Sequence, residues 1–392
     1  MTVICSSCKK PVTSVTSMTS VTLSRTSATL SVNDTLILTA TVLPADAPNK
    51  NVLWMSNNPT VATVTNGIVT AKDEGTAIIT VTTEDGNKTA NCIITVIDTT
   101  TKTMTIRLNF ADNDMGITLG GTGTITIDWG DETVETHTLS TTPIRYKHAC
   151  TRTYGHIIKI TGNNITYMNC KNFQVGDVDV NKNTKLTELY CGGSVFMDKL
   201  DVSKNTKLIK LECSRTNLTN LNLSKNTALT ELNCYDNDLK SLNISENTVL
   251  KKLYCNENEL TSLDVSKNVA LTELNCEYNK LTNLDVNKNI ALIELNCKNN
   301  KLTNLDVSKN IALTILNSRI NELESLDVSK NIALKEVDCG INRLTAEALN
   351  ALFGTLHNNS ITGGKSINIG GNPGTSKCDR KIATNKGWTV KE

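Results

Sequence analysis

"LTELNCEYNKLTNLDVNKNIA", residues 271–291, holds a single cysteine, Cys276, among leucines and asparagines. Cys255 precedes it by 21 residues and Cys297 follows it by 21. Followed in both directions, the schedule takes in Cys170, Cys191, Cys213, Cys234, Cys255, Cys276, Cys297 and Cys339. The intervals are 21, 22, 21, 21, 21, 21 and 42 residues, and the long one is two periods with Ser318 at the midpoint. Around each cysteine the pattern is L-x-x-L-x-C-x-x-N-x-L-x-x-L-D-V-x-x-N, cleanest from 229 to 331.

A period of 20–29 residues carrying L-x-x-L-x-L-x-x-N is the signature of a leucine-rich repeat solenoid, and it covers residues 165–344. The 21-residue form with "LDVSKN" and "LNC" resembles repeats of surface proteins of Gram-negative gut anaerobes. In "ELNC" the side chains alternate, so Leu274 and Cys276 face inward while Glu273 and Asn275 face out. Coils stack at about 4.7–4.9 Å, which lines the cysteines up as one interior ladder where the usual repeat has leucine. A buried thiol behaves as a small hydrophobe. Ser318 interrupts any pairing scheme, and a linear row gives no tetrahedral cage, so the expectation is free buried thiols, with neither disulfides nor a metal.

The asparagines form two further rows, one through Asn237, Asn258, Asn279, Asn300, Asn321 and Asn342, the other through Asn247, Asn268, Asn289, Asn310 and Asn331. Each stands where the chain turns, and a carboxamide there can satisfy backbone groups that the turn would strand. The "DVSKN" segments add rows of Asp and Lys that read as a solvated face. Residues 345–392 read as a C-terminal cap. "LTAEALNALFGTLH" places Leu349, Leu352, Phe353 and Leu356 at helical spacing; a short strand, "SINIGGNPG", and a second helix follow, with Cys378 and Trp388 packed inside.

Two β-rich stretches precede the repeats. Residues 12–98 alternate β-branched and polar residues between turn signals, with hairpin dipeptides at Asn66-Gly67 and Asp85-Gly86, which predicts a β-sandwich. The string "TATVLPADAPNKNVLWMSNNPTVATVTNGIVTAKDEGTAIITVTT" resembles the bacterial Ig-like domains of invasin- and intimin-type surface proteins, which implies a spacer or adhesive module. Trp54 is expected in its core and Cys92 as a buried thiol. Residues 101–164 form a second small β-unit, or an N-terminal cap for the solenoid. Its "IDWGDE" and "YKHACTRTYGHIIKITG" resemble part of the polycystic-kidney-disease-type Ig-like fold. Asp128, Asp131 and Glu132, and Asp112 with Asp114, offer turn carboxylates; local backbone capping is the commoner use of such groups than Ca²⁺. His137, His148 and His156 are read as surface or packing residues.

Residues 1–11 read as a leader. Ser7–Cys8 has the junction of a bacterial lipoprotein signal without the apolar segment that precedes one, so lipidation of Cys8 and a leader without function both stand. Cys5 and Cys8 lack the second pair that a zinc site needs.

The fold class is therefore mainly β: an Ig-like β-sandwich, a second small β-unit, and a solenoid with a helical C-terminal cap. With 40 basic and 39 acidic residues, no global field draws nucleic acid or an anionic membrane. No segment approaches the roughly 20 apolar residues of a membrane helix. No G-x-S-x-G, H-E-x-x-H or phosphate-binding glycine loop occurs, so no enzyme and no cofactor are expected. Function then falls to the outward positions of the regular strand, where Tyr190, Glu231, Tyr235, Lys252, Tyr254, Glu273, Asn275 and Arg319 are the candidate ligand-binding residues. The expected function is that of a secreted or cell-surface adhesin-like protein, an outer-membrane lipoprotein included, that binds a protein, host proteins included, with the β-sandwich as stalk; the alternative is a carbohydrate-binding or structural cell-envelope protein. A membrane enters only through the Cys8 anchor, and the oligomeric state is left open.

Overall fold

The computed structural model describes residues 20–392 apart from 99, 110–114, 150–154, 172 and 361. Cys8, Asp112 and Asp114 thus lie outside the described residues. The chain divides into two compact units at Thr100/Thr101.

The first unit has nine strands: β1 (Ser20–Leu23), β2 (Ser27–Ser31), β3 (Thr35–Ile37), β4 (Ala40–Leu43), β5 (Val52–Ser56), β6 (Ala62–Thr65), β7 (Ile68–Ala71), β8 (Gly75–Thr83) and β9 (Thr89–Ile97). They form sheets ordered β2-β9-β8-β5, β3-β7-β6 and β1-β4. Alternation fixes the inward set, since Ala77, Ile79 and Val81 of β8 and Cys92, Ile94 and Val96 of β9 are all buried. Trp54 is half-buried and packs against both apolar clusters of this unit. The β6–β7 turn runs through Asn66 (φ 50°) and Gly67 (φ 78°). A Cβ at Gly67 would stand 2.5 Å from the Leu38 carbonyl, so only glycine closes this turn.

The second unit begins with β10 (Thr103–Leu108), β11 (Met115–Gly121), β12 (Thr124–Asp128), β13 (Val134–Thr138), β14 (Ile144–His148), β15 (Ile157–Thr161), β16 (Ile165–Asn169) and β17 (Val175–Asp179). One sheet is ordered β13-β12-β15-β10-β17. The other, β14-β11-β16, continues directly into the solenoid, because β16 is antiparallel to β11 on one side and parallel to the first repeat strand on the other. Residues 101–164 and the repeats therefore share one sheet and one apolar core, which runs unbroken from Met104 to Trp388. Trp129 is buried with the His148 ring stacked on it at 5.0 Å, and His148 Nε2 lies 2.7 Å from Asp131 Oδ2.

The repeat strands are β18 (Glu188–Tyr190), β19 (Lys210–Glu212), β20 (Glu231–Asn233), β21 (Lys252–Tyr254), β22 (Glu273–Asn275), β23 (Glu294–Asn296), β24 (Ile315–Asn317) and β25 (Glu336–Asp338). They pair in parallel, in register, leucine on leucine except at the last pair, where Leu316 meets Val337. Leu253, Leu274 and Leu295, and Cys255, Cys276 and Cys297, are buried, as are Leu281, Leu284 and Val286 across the coil. Each buried leucine contributes roughly 1.5–3 kcal/mol, and a coil is stable only with its neighbours. All eight ladder cysteines are free, and Ser318 takes its place in the row, buried, donating to the Asp338 carbonyl at 3.3 Å.

Both asparagine rows staple coil to coil. Asn258 Nδ2 donates to the carbonyls of Cys234, Cys255 and Asn256 at 3.0, 3.2 and 3.1 Å, and its Oδ1 accepts from the Leu239 N–H at 3.1 Å. In the second row, Asn268 Nδ2 donates to the Ile244 and Asn247 carbonyls of the preceding coil. The early coils that lack the first asparagine use hydroxyls: Ser194 donates to Val175 and Thr216 to Cys213.

The cap comprises α1 (Ala346–Thr355), β26 (Lys365–Asn368), α2 (Lys381–Thr384) and β27 (Trp388–Lys391). Thr345 caps α1, and Leu349, Leu352, Phe353 and Leu356 bury against the last coil. The tail adds two more parallel rungs, β26 and β27, where the sequence pointed to one strand; α2 is a single turn. Trp388 is buried and Cys378 half-buried against the core. Lys365 is buried as well, its Nζ donating to the carbonyls of His357, Asn359 and Lys386 at 3.3, 2.8 and 2.7 Å.

Candidate functional site: the strand face of the solenoid

The outward positions of β18–β25 make parallel rows, because register pairs Glu231 with Lys252 and Lys252 with Glu273, and Asn233 with Tyr254 and Tyr254 with Asn275. The first row alternates in sign along its early coils, and neighbours neutralise one another. Lys210 Nζ lies 3.4 Å from Glu231, and Lys252 Nζ lies 2.7 Å from Glu273. The Tyr254 hydroxyl donates to the other Glu273 oxygen. Burial works against ionisation of Glu273, but its bonds from Lys252 and Tyr254 outweigh it and hold the carboxyl below its usual range. Burial, reinforced by the Glu273 carboxylate, pushes the Tyr254 phenol up.

The candidate residues do not all meet. Tyr254, Glu273 and Asn275 gather at one groove of about 210 Å³, whose far wall is Glu294, Asn296, Ile315 and Asn317, and Lys252 stands behind it, paired with Glu273. Glu231 lies outside the groove, in register with Lys252 one strand earlier and paired with Lys210. Tyr235 stands apart under the Arg215 guanidinium, 5.3 Å from its ring centroid. Tyr190 lies three strands away, its hydroxyl donating to Glu188 at 2.7 Å and its ring 5.4 Å from that of Tyr167. Arg319 is three coils beyond Tyr254 and pairs with Asp338 at 3.8 Å. Tyr167 is not among the sequence candidates, although "ITYMNC" aligns with "LTELYC" one period later. Glu212, at an outward position of its strand, is buried: it pairs with Lys171 at 3.3 Å and packs where a Cβ at Gly192 would stand 2.8 Å from its Oε1.

Within the groove the asparagines are held in one orientation. Asn275, Asn296 and Asn317 each accept the N–H two residues on, at 3.1, 3.2 and 3.1 Å, which turns the carboxamide NH₂ groups outward. Glu294 is exposed and has no cation within ion-pair distance among the described residues, unlike Glu273. The groove thus offers fixed donors, one unpaired carboxylate, a phenol ring edge and an apolar contact. The cysteine ladder behind it supplies no nucleophile, for burial drives Cys234 and Cys297 up to about 12 and Cys255 and Cys276 well above their usual range. No group of three or more His, Cys, Asp or Glu able to hold a metal occurs among the described residues.

The first unit is the part that comparison with known proteins assigns by sequence. Residues 17–94 match the bacterial Ig-like domain (group 2) family. An Ig-like virion protein of Serratia phage KSP90 is 48% identical over 84 residues, which is 21% of this chain and 33% of the phage protein. The kappa-carrageenase of Pseudoalteromonas carrageenovora is 45% identical over 78 residues, 20% of each chain. The chain spans a third or less of the curated relatives it matches. The solenoid is similar to the functional domain of InlJ from Listeria monocytogenes, a structure described as including a cysteine ladder, with 32% identity, a TM-score of 0.50, and 58% of this chain and 53% of that one covered. An N-terminal Ig-like domain followed by a leucine-rich repeat solenoid of the InlJ kind fits a surface protein-interaction role. No helix among the described residues is long and apolar enough to cross a membrane.

Proposed function

We propose that this chain is a non-enzymatic adhesin-like protein, secreted or held at the cell surface, that binds a partner protein on the strand face of its solenoid, with the Ig-like module as spacer. The observation that carries this reading is the groove beside Tyr254. Its polar groups are held in place by bonds within the chain, yet Glu294 and the three outward carboxamides keep hydrogen-bonding capacity for something else. Fixed side chains of this kind lose little entropy on binding. The unpaired Glu294 suits a partner that brings a lysine or arginine to the groove. Cys8 remains the candidate point of lipid attachment.

The same donors, with a tyrosine ring beside them, favour a second reading in which the groove takes a glycan. A panel of extracellular proteins and glycans, screened with the full chain and with Tyr254→Ala/Glu294→Lys, separates the two. Loss of a protein hit at unchanged melting temperature supports the first reading, and loss of a glycan hit supports the second. A hit that the variant retains at full strength places the site elsewhere.

A further inference from the structure

The strand order of the first unit determines how it meets a pull through its two ends. The chain enters the sandwich at β1, passes into β2, and leaves from β9. In the sheet β2-β9-β8-β5, β2 is an edge strand with β9 as its neighbour. The two run parallel, with Ser27 opposite Ile93, Thr29 opposite Thr95 and Ser31 opposite Ile97. The Ile93 N–H donates to the Thr26 carbonyl at 2.9 Å, and the Val32 N–H donates to the Ile97 carbonyl at 3.1 Å, so the ladder is closed at both ends. Alternation sets Ala28, Leu30 and Val32 against the apolar cluster beneath the sheet. Beyond β2 the chain is fastened again, by the Asn33 N–H to the Ala71 carbonyl at 3.0 Å and the Ser31 N–H to Asp34 Oδ2 at 2.9 Å.

Parallel pairing of the entering strand with the leaving strand puts entry and exit at opposite ends of the sheet. Tension between them draws β2 back along its own axis and β9 forward along its own. The bonds between the two strands are then loaded side by side, and they must give way together within a displacement of about one bond length. Were entry and exit at the same end, as in an antiparallel hairpin, bonds of the same kind would open one after another. β9 cannot slide in place of β2, because β8 holds it on its other side from Thr89 to Val96. β1 adds little resistance: it is four residues long, pairs only with β4, and has Val21 alone fully buried.

We propose that the Ig-like unit bears tension, and that the β2–β9 pairing is the shear clamp that sets the force at which the unit opens. The use of such a clamp rests on the reading of this unit as a spacer. The clamp itself does not depend on what the groove beside Tyr254 takes.

The test is single-molecule force spectroscopy on the full chain, in reductant, with two loading geometries. In the first, handles at the N-terminus and in an acceptor tag inserted at the Thr100/Thr101 boundary load the clamp in shear. In the second, the inner tag follows Gly86 in the exposed β8–β9 turn, at the end of the sheet where β2 begins, so the same bonds are peeled in turn. At equal loading rate the first geometry should open in a single event, at several times the force of the second, releasing roughly 240 Å as residues 27–97 extend. Urea unfolding should be alike for the two tagged chains, since the same bonds are lost. Two variants separate the clamp from overall stability. Leu30→Ala, on β2, should lower the shear force more than Val69→Ala, although Val69 is wholly buried in the opposite sheet and costs at least as much stability. Equal forces in the two geometries, or a force that falls as far for Val69→Ala as for Leu30→Ala, overturns the proposal. Neither readout uses a ligand, so the groove beside Tyr254 stands or falls separately.

Discussion

Asn258 and Cys234 stand 24 residues apart and are joined by a 3.0 Å hydrogen bond from the side-chain amide to the main-chain carbonyl. The same carboxamide closes its own coil at the Cys255 carbonyl and accepts the Leu239 N–H. One side chain thus serves four backbone groups in three places. Asn258→Ala strands these groups in a buried site, and each costs about 1–3 kcal/mol where water cannot replace the partner. A loss of about 3 kcal/mol is expected in urea unfolding, and Asn258→Asp, which keeps the acceptor and loses the two donors, should lose most of it. A loss below about 1 kcal/mol for the alanine variant would show that water enters the turn.

The ladder makes stability depend on alkaline pH. Burial raises Cys170, Cys234, Cys297 and Cys339 from an ordinary 9.0 to about 12 in the fold. The folded state therefore binds more protons than the unfolded chain in this window. The stabilisation is fully present below about 9 and is lost as pH rises towards 12. In a thermal unfolding series with reductant, the melting temperature should fall steadily above pH 9. A variant carrying Cys234→Ser and Cys297→Ser, which copies the natural Ser318, should fall less steeply over the same range. Equal slopes would mean that the thiols are not the groups responsible.

At acid pH the controlling pair is Asp131 with His148. The hydrogen bond from His148 is the main cause that holds Asp131 at about 2 against an ordinary 3.8. A carboxyl with a lowered folded value contributes stability above its ordinary range, and this contribution disappears as pH falls from about 4 to 2. Asp131→Asn should cost about 1–3 kcal/mol at neutral pH and flatten the acid limb of the stability curve. An unaltered acid limb in that variant would place the titration on another carboxyl.

How far the sequence reaches depends on how local the cause is. The coil, its inward Leu and Cys, and both asparagine rows follow from a period repeated many times, since each copy tests the same register. The extension of the repeat sheet by β11 and β14 was not legible, because the pairing of β11 with β16 joins Thr118 to Asn169 across 51 residues of sequence. The candidate site was legible as a row but not as a groove. Whether a strand-face tyrosine is free depends on the coil beside it, and Tyr254 is tied to Glu273, 19 residues on.

Strain in the turn after each strand supplies the last prediction. Arg215, Asp236, Glu257, Tyr278, Asn299, Ile320 and Ile341 all adopt a left-handed backbone, with φ between 51° and 56°. Asparagine and glycine tolerate this conformation, whereas for other residues it costs roughly 1–2 kcal/mol, and β-branched ones are the worst suited. Ile320 is only half-buried, so its packing recovers part of that cost and not the whole. Ile320→Asn, copying Asn299 of the coil before, should raise stability by about 0.5–1 kcal/mol, and Asn299→Ile should lower it by a similar amount. Chemical denaturation of the two variants checks both signs together. If Ile320→Asn destabilises the chain, the isoleucine side chain contributes more through packing against neighbouring coils than its backbone conformation costs.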